Sequence, residues 1–317
     1  MSSKKTLKQV LDEHKECFLV PCVYDCASNH AMEMCGYPVT LLSGGELSLA
    51  MNGLIDYGFT GLTDLEWVVS RVASTSSVPL IADIEDGFGG PLAVYRSAKR
   101  LAAAGAAAVQ LEDAADMEET TGILPRSEYM AKVRAALQAL EGTGCMLIAR
   151  TNADPKNPAM MKEGCERLAE AMREGAELAM LVKATTYEQA SAIARIVTGP
   201  KVFADVRADG GVANVTMSQL TPLNYVMCTT HFTLKAAMEC MLEHGRENFK
   251  NQDVSYTFTH AQSTEDMNFS ATPMFDPQAY MELEKTFTKE EKVYTIVGGA
   301  VNDYPEGFLR IDIKDRL

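Results

Sequence analysis

Eight short runs of mostly apolar residues recur along the chain, and longer segments of mixed polarity separate them. Each run is nearly continuous in its hydrophobicity, which is typical of strands in a parallel sheet that is covered on both faces. We therefore predict strands at 19–25, 39–44, 78–85, 107–113, 145–153, 178–184, 201–206 and 225–231.

The segments between these strands are amphipathic, and DLEWVVSRVAS and SEYMAKVRAALQAL are clear examples. Eight β units, each followed by a helical pattern, predict an α/β fold of the (β/α)8 TIM barrel type. The alternative is an open doubly wound sheet, which would more often carry a glycine-rich phosphate loop after its first strand, where this chain has YDCASNH. The barrel is expected to occupy residues 1–250. Residues 251–317 are expected to form a C-terminal extension, with an extra helix near 276–293 and an irregular tail that packs on the barrel.

Polar residues stand at the carboxyl ends of all eight predicted strands. In a (β/α)8 barrel, the reactive groups lie at this end, where strands pass into loops. One rim should therefore collect Asp25, Ser43, Gly44, Gly45, Asp83, Glu85, Glu112, Asp113, Arg150, Asn152, Lys183, Asp205, Arg207 and His231.

The acids after the third and fourth strands indicate a metal site. Residues two apart in a strand share a face, so Asp83 should point with Glu85, and Gln110 with Glu112. Clustered carboxylates repel each other unless a cation lies among them, and Mg²⁺ or Mn²⁺ favours such oxygen ligands. The alternative interpretation is that these acids cap helices or pair with Arg150, Arg207 or Lys183.

Two further rim residues have two interpretations each. Lys183 lies in the apolar run MLVKATT, where a Schiff-base aldolase could place its nucleophile. A simpler role is a cation that balances Asp205 or a substrate carboxylate, because neighbouring acids raise the pKa of an amine. His231 is either a proton donor or a hydrogen-bonded structural histidine.

Composition excludes some classes of function. The net charge is −14, and Lys and Arg are not concentrated anywhere, which argues against a nucleic-acid surface. The N-terminus lacks a signal-peptide core, and no stretch reaches the roughly 18 apolar residues of a membrane span. We therefore expect a cytoplasmic protein that does not bind membranes. The eight cysteines are interpreted as reduced core residues, although Cys22 and Cys26 with His30 could form a metal cluster.

The segments LLSGG, ADIEDGFGG, AAAVQLEDA and IARTNA resemble the isocitrate lyase and phosphoenolpyruvate mutase superfamily in both order and spacing. The stretch PCVYDCASNHAMEMCGYPVTLLSGG resembles the start of its smaller members, such as methylisocitrate lyase, dimethylmalate lyase, oxaloacetate hydrolase or decarboxylase, and phosphonopyruvate hydrolase. The resemblance extends over residues 18–250.

This resemblance implies a Mg²⁺-dependent barrel enzyme that acts on a 2-oxo or 2-hydroxy acid through an enolate. It implies that Asp83 is the main metal ligand, assisted by Glu85 and Glu112, and that Arg150 holds a substrate oxygen. Further substrate contacts are expected from Ser43, Gly44, Gly45 and Asp205. Candidate catalytic residues are Asp56, Glu112, Arg150, Lys183 and His231.

The chain also departs from the pattern of that superfamily. The lyases carry a cysteine-containing gating loop, whereas this chain has DMEETTGILPRSEY, with Asp116, Glu118, Glu119, Thr120 and Thr121 and no cysteine. The Lys and Asn of the mutase loop are missing as well, which weighs against phosphonate chemistry. Leu41 replaces a tyrosine, Lys183 a glutamate and Asp205 an asparagine. A substrate with a different distal group is the simplest inference.

Several functions therefore remain open. The leading one is a Mg²⁺-dependent carbon–carbon lyase or hydrolase for a small 2-hydroxy or 2-oxo dicarboxylic acid. The alternatives are carbon–phosphorus chemistry, a Schiff-base aldolase that uses Lys183, and a barrel that only binds or regulates. The resemblance also implies a homotetramer, a dimer of dimers that exchange a late helix.

Overall fold

The structure is a computed structural model that describes residues 4–114, 122–206, 208–209, 212–260 and 277–287. The predicted loop at 116–121, Arg207 and the predicted tail at 294–317 lie outside these residues. Within the described part of the chain, no helix is long and apolar enough to cross a membrane.

Eight parallel strands close into a barrel. The predicted (β/α)8 fold is therefore confirmed, and all eight predicted strands are present in shortened form. The barrel strands are β1 (Phe18–Val23), β2 (Thr40–Leu42), β3 (Leu80–Asp83), β4 (Ala108–Leu111), β5 (Met146–Thr151), β6 (Leu178–Leu181), β7 (Lys201–Phe203) and β10 (Tyr225–Thr230). A small antiparallel pair, β8 (Ala208–Asp209) and β9 (Val212–Ala213), follows β7. Neighbouring strands around the closed barrel follow the order β1-β10-β7-β6-β5-β4-β3-β2.

Helices follow the strands as the amphipathic pattern predicts. They are α1 (Leu7–Glu13), α2 (Cys26–Met34), α3 (Gly44–Leu47), α4 (Leu62–Thr75), α5 (Pro91–Ala103), α6 (Arg126–Leu140), α7 (Pro158–Glu174), α8 (Tyr187–Ala194), α9 (Met217–Leu220), α10 (Thr233–Asn251), α11 (Ser255–His260) and α12 (Pro277–Phe287). A π-helical turn spans Ser48–Asn52, and a 3₁₀ turn spans Thr221–Leu223. The extra C-terminal helix is confirmed as α12, whereas its exchange between subunits and the domain division after residue 250 stay predictions.

Helix α1 was not predicted, and it belongs to the core. Thr6 begins it with a reciprocal capping box that involves Gln9. Leu7 and Val10 are buried and join the cluster of apolar side chains from the barrel strands. A short N-terminal helix with only two buried apolar residues gives little periodic signal in the sequence.

The core has two layers, and strand alternation decides which side chains enter each layer. The barrel interior is filled by residues such as Cys22, Leu41, Ile81 and Ile148, and a larger cluster lies between strands and helices. Because successive side chains alternate, Asp83 follows the inward phase of Ile81, and Arg150 follows that of Ile148. These polar residues therefore reach the carboxyl-end mouth of the barrel.

The cysteines divide between the core and the surface. Cys17, Cys22, Cys145, Cys165 and Cys228 are buried, as the sequence predicts, whereas Cys35 and Cys240 are exposed. Within the described residues, no group of three His, Cys, Asp or Glu side chains has the arrangement of a metal site, so Cys22, Cys26 and His30 do not form a metal cluster.

Candidate active site at the barrel mouth

A cavity of about 700 Å³ opens at the carboxyl ends of the barrel strands. The structure brings together there eight of the predicted site residues: Ser43, Gly45, Asp56, Asp83, Glu85, Arg150, Asp205 and His231. This is the end of the barrel at which the reactive groups of the fold are found. Gly44, Glu112 and Lys183 are not among the residues that line the cavity.

Arg150 connects the acids of neighbouring strands. Its Nη1 atom lies 3.0 Å from Asp83 Oδ2, and its Nη2 atom lies 2.7 Å from Glu112 Oε2. Asn152 Nδ2 donates a second hydrogen bond, 3.0 Å long, to the same oxygen of Glu112. Glu112 therefore contacts Arg150 without lining the cavity itself. The alternative interpretation, in which the acids are ion-pair partners of Arg150, is correct for Asp83 and Glu112.

The negative charges of the acids that line the cavity are only partly neutralised by Arg150. Burial raises the pKa of Asp83, against the opposing charge of Arg150. Burial also raises the pKa of Glu85 well above its usual range, and the charges of Asp83, Glu112 and Asp56 add to this effect. One guanidinium therefore does not compensate the carboxylates around it, and a further cation would relieve their repulsion.

The backbone of Gly44 and Gly45 lets two of these acids approach closely. A Cβ atom on Gly44 would overlap Glu85 Oε1, and one on Gly45 would lie 2.9 Å from Asp56 Oδ2. Ser43 begins α3, and its hydroxyl accepts a hydrogen bond from the backbone N–H of Glu46 at 3.3 Å. The two glycines are thus required for packing against the acids, while their predicted contact with a substrate stays a prediction.

Two site residues adopt a left-handed backbone conformation. Glu85 has φ 51° and Asp205 has φ 50°, values that cost a residue with a Cβ atom free energy. At Asp205 the turn breaks the strand alternation, because Ala204 already holds the inward position, and both side chains line the cavity. Strain that is retained in this way is typical of functional sites.

Replacing Glu85 with glycine should stabilise the fold. Relative to Glu85→Gln, which removes the charge and keeps the Cβ atom, Glu85→Gly is expected to raise the free energy of unfolding by about 1 kcal/mol, because glycine adopts positive φ without strain. Urea denaturation of both variants measures the difference. Equal midpoints at equal slopes would show that the backbone at this position is not strained.

Lys183 does not enter the cavity. Met180 and Val182 take the inward positions at the end of the sixth barrel strand and line the cavity, so Lys183 is out of phase with them. The Lys183 amine, which a Schiff-base aldolase would use as its nucleophile, is therefore not among the groups that line the cavity.

Several residues of the cavity were missed as site residues. Gln110 was expected to share a face with Glu112, and it lines the cavity at 3% exposure. Within the described residues, no donor lies within hydrogen-bonding distance of its buried Oε1 atom. Glu46 comes from α3, and α10 contributes Leu234, Lys235, Met238, Glu239 and Leu242. A helical pattern gives no signal that α10 would border the mouth.

The donor set fits a hard divalent cation. Asp83, Glu85 and the unsatisfied oxygen of Gln110 are all oxygen acceptors on one wall of the cavity. Although no three acidic, His or Cys side chains within the described chain converge on one point, Mg²⁺ needs only one or two carboxylates, because waters complete its octahedron.

A sequence model of the phosphoenolpyruvate phosphomutase family matches residues 7–248, which is most of the chain. The chain belongs to the phosphoenolpyruvate phosphomutase family. The superfamily that the sequence motifs resemble is thereby confirmed.

Relatives and solved structures of this family agree with the fold. The chain is 29% identical to a 2-methylisocitrate lyase of Vibrio cholerae over 73% of its own length and 82% of the relative. It is 27% identical to an oxaloacetate decarboxylase of Pseudomonas putida over 77% of its own length and 87% of the relative. An oxaloacetate acetylhydrolase in complex with the inhibitor 3,3-difluorooxalacetate superimposes with a TM-score of 0.78 at 23% identity, covering 90% of this chain and 97% of that one. A phosphonopyruvate hydrolase in complex with oxalate and Mg²⁺ superimposes with a TM-score of 0.77 at 20% identity. This match covers 90% of this chain and 99% of that one.

The prediction of an enzyme of the carbon–carbon lyase type is confirmed for this family member, since the two curated relatives are a lyase and a decarboxylase. The structural neighbours, at these identities, support the barrel fold alone.

Proposed function

We propose that this enzyme breaks a carbon–carbon bond in a small 2-hydroxy or 2-oxo dicarboxylic acid, with Mg²⁺, through an enolate. The observation that carries the proposal is the set of under-compensated acids beside Arg150 in one cavity. Breaking a bond next to a carbonyl leaves negative charge on oxygen. Arg150, together with a divalent cation held by these acids, would stabilise that charge.

Asp83 would hold the metal, with Glu85, Glu112 and Gln110 close by. When bound, Mg²⁺ or Mn²⁺ supplies a positive charge that stabilises the enolate oxygen. Asp83 is oriented for this role, because its Oδ1 accepts the backbone N–H of Glu85 at 3.1 Å and its Oδ2 faces Arg150.

Arg150 would bind the substrate oxygen that becomes negative. Asp83 and Glu112 fix two of its nitrogens, so the guanidinium plane has little freedom. A donor fixed before the reaction needs no reorganisation as charge develops. Ser43 and the backbone of Gly45, which line the cavity, would hold the substrate carboxylate, with Gly44 between them in the chain.

Because the loop after Glu112 contains no cysteine, other groups would transfer the protons. Asp56 lies against Gly45 and can accept a proton from a 2-hydroxyl group, whereas His231 can return one to the enolate carbon. For a 2-hydroxy acid the protons balance, because the hydroxyl proton passes to Asp56 and the enolate carbon takes one from His231. For a 2-oxo acid that loses CO₂, the enolate carbon takes a proton from His231, and solvent replaces that proton.

The relatives support this reaction class. One is named for methylisocitrate cleavage and another for oxaloacetate decarboxylation. The family description favours carbon–phosphorus chemistry as the second candidate. Phosphonopyruvate therefore belongs in any substrate panel.

Metal removal tests the proposal. The protein, freed of divalent ions with EDTA and dialysed, is expected to lose at least about 99% of its turnover of the preferred acid, and Mg²⁺ is expected to restore it. The panel should contain 2-methylisocitrate, 2,3-dimethylmalate, oxaloacetate and phosphonopyruvate, with products followed by coupled assays. Full turnover after demetallation would contradict the proposal, and turnover of phosphonopyruvate alone would favour the second candidate.

The cytoplasmic location and the homo-oligomer stay predictions. The oligomer is supported by α10, on which Met241 and Phe249 are 62% and 79% exposed. Apolar side chains this exposed on one helix are typical of a surface that is covered in an assembly.

A further inference from the structure

The turn that follows β3 has a costly backbone conformation. Four of the five residues from Glu85 to Gly89 have positive φ, with values of 51° at Glu85, 85° at Gly87, 65° at Phe88 and 134° at Gly89. Glu85 and Phe88 have a Cβ atom, for which such values cost free energy. A turn of this kind persists only where the surrounding structure holds it in place.

Lys132 on α6 holds this turn from outside the barrel. Its ammonium group donates to the carbonyl oxygen and to the Oδ2 atom of Asp86, both at 3.0 Å. A contact with the carboxylate alone would leave the backbone free to rotate. Two contacts with one residue instead fix its side chain and the following peptide plane together. Lys132 is 3% exposed, and an ammonium buried to this degree is costly without its acceptors, so the contacts are retained.

Asp86 extends this constraint along the turn. Its Oδ1 atom accepts the backbone N–H of Phe88 at 2.8 Å. The N–H of Gly87 donates to the carbonyl oxygen of Ile84, also at 2.8 Å, and this hydrogen bond closes the turn around Glu85. The hydrogen bonds of Asp86 thus lie directly after Glu85 and limit how far its backbone can relax.

The backbone of Glu85 in turn orients Asp83. The N–H of Glu85 donates to Asp83 Oδ1 at 3.1 Å, and its carbonyl oxygen accepts the backbone N–H of Glu112 at 2.9 Å. The Glu85 side chain lines the cavity against Gly44. A change of φ at Glu85 would turn its N–H away from Asp83 and displace both carboxylates.

Lys132 and Asp86 are not among the residues that line the cavity. Their charges oppose each other at 3.0 Å, so the pair adds little net charge to the acids of the site. An effect of Lys132 on the cavity therefore has to pass through the shape of the turn.

We propose that Lys132 is a positioning residue, which holds the turn from Glu85 to Gly89 in the conformation in which Asp83 and Glu85 bind a divalent cation. This inference rests on the proposed function. It assigns a role in cation binding to a lysine that lies on a helix outside the barrel and that sequence reasoning did not single out.

Binding of Mn²⁺, followed by the electron paramagnetic resonance signal of the free ion, tests this role without any turnover. Lys132→Met keeps the length of the side chain and removes its donors and charge. The Kd of Mn²⁺ is expected to rise at least about tenfold, as is usual when a group that orients a metal ligand is lost. Circular dichroism checks that each variant is folded at the temperature of the measurement.

Lys201→Met is the matched control. Lys201 is 1% exposed and donates to the carbonyl oxygens of Val197 and Gly199 at 3.0 and 2.7 Å, at the amino end of β7 and away from the mouth. This variant also loses a buried lysine, but the Kd of Mn²⁺ is expected to change less than about twofold. Equal weakening in both lysine variants would show a general loss of structure and would overturn the proposal.

A double-variant cycle with Asp86 shows whether Lys132 acts through the turn. Asp86→Ala removes the carboxylate that joins Lys132 to Phe88, and is expected to raise the Kd of Mn²⁺ at least about fivefold. The double variant Lys132→Met/Asp86→Ala should bind Mn²⁺ within about twofold of the weaker single variant, because both changes break the same series of contacts.

Two results overturn the role of Lys132. One is a Kd in Lys132→Met within about threefold of the wild type, and the other is a double variant that shows the product of the two single effects. If Lys132→Met does not fold, Asp86→Ala decides the question, since its side chain is 30% exposed, and a Kd within about twofold of the wild type then overturns the proposal. If the wild-type protein itself does not bind Mn²⁺, the proposed function fails, and this inference fails with it.

Discussion

Replacement of Arg150 with methionine is expected to lower kcat/KM at least about 10³-fold, which corresponds to about 4 kcal/mol of transition-state stabilisation. The variant loses the donor proposed for the enolate oxygen. It also leaves Asp83 and Glu112 without the guanidinium that bridges them at 3.0 and 2.7 Å. Steady-state kinetics on the preferred acid at saturating Mg²⁺ measure the effect.

Arg150→Lys is the matched variant, because it keeps the charge. A single ammonium group cannot hold two carboxylates in the planar geometry of a guanidinium, so a loss between those of wild type and Arg150→Met is expected. Added guanidinium ion should restore part of the activity of Arg150→Met and leave that of the wild type unchanged. An activity of Arg150→Met within tenfold of wild type would show that this residue does not bind the reacting oxygen.

Arg167→Met is expected to destabilise the protein by about 3–5 kcal/mol, because it leaves a buried carboxylate without its charged partner. Arg167 is 2% exposed, and its Nη1 lies 2.7 Å from Asp113 Oδ2, in a residue that is fully buried. Burial already raises the pKa of Asp113, although Thr151, Asn152 and Arg167 oppose it. Urea denaturation measures the loss.

The double variant Arg167→Met/Asp113→Asn provides the control. Once the carboxylate is neutral, no unpaired charge remains in the interior, so the double variant should be more stable than Arg167→Met alone. If the double variant is instead less stable by the sum of the two single effects, the two residues do not interact.

Asp113 also accepts the backbone N–H of Asn152 at 2.8 Å, so activity should fall with stability in Arg167→Met.

Asp113 illustrates where sequence reasoning reached its limit. It follows Glu112 at the end of the same predicted strand, and both were placed on one rim. In the structure the two side chains separate. Glu112 contacts Arg150, whereas Asp113 continues the outward phase of Leu111 and pairs with Arg167 on α7. Alternation predicts the separation, but the cation that each acid meets comes from a distant part of the chain.

Lys183 and Glu46 both lie where the local sequence pattern did not predict them. Lys183 was a candidate because it ends a barrel strand, yet Val182 holds the inward position beside it. Glu46 was not a candidate because it follows Gly44 and Gly45 in a short helix. In the structure it lines the cavity, and its Oε2 atom contacts Thr233 at the start of α10.

The sequence by itself determined the eight strands and the polar residues at their carboxyl ends, because apolar runs and a period of two are local properties of the chain. Only the tertiary structure decided which acid meets which cation, and that α10 borders the mouth. The physical reason is that ring closure joins residues far apart in sequence, and a carboxylate is neutral, paired or metal-binding according to neighbours that the local pattern does not specify.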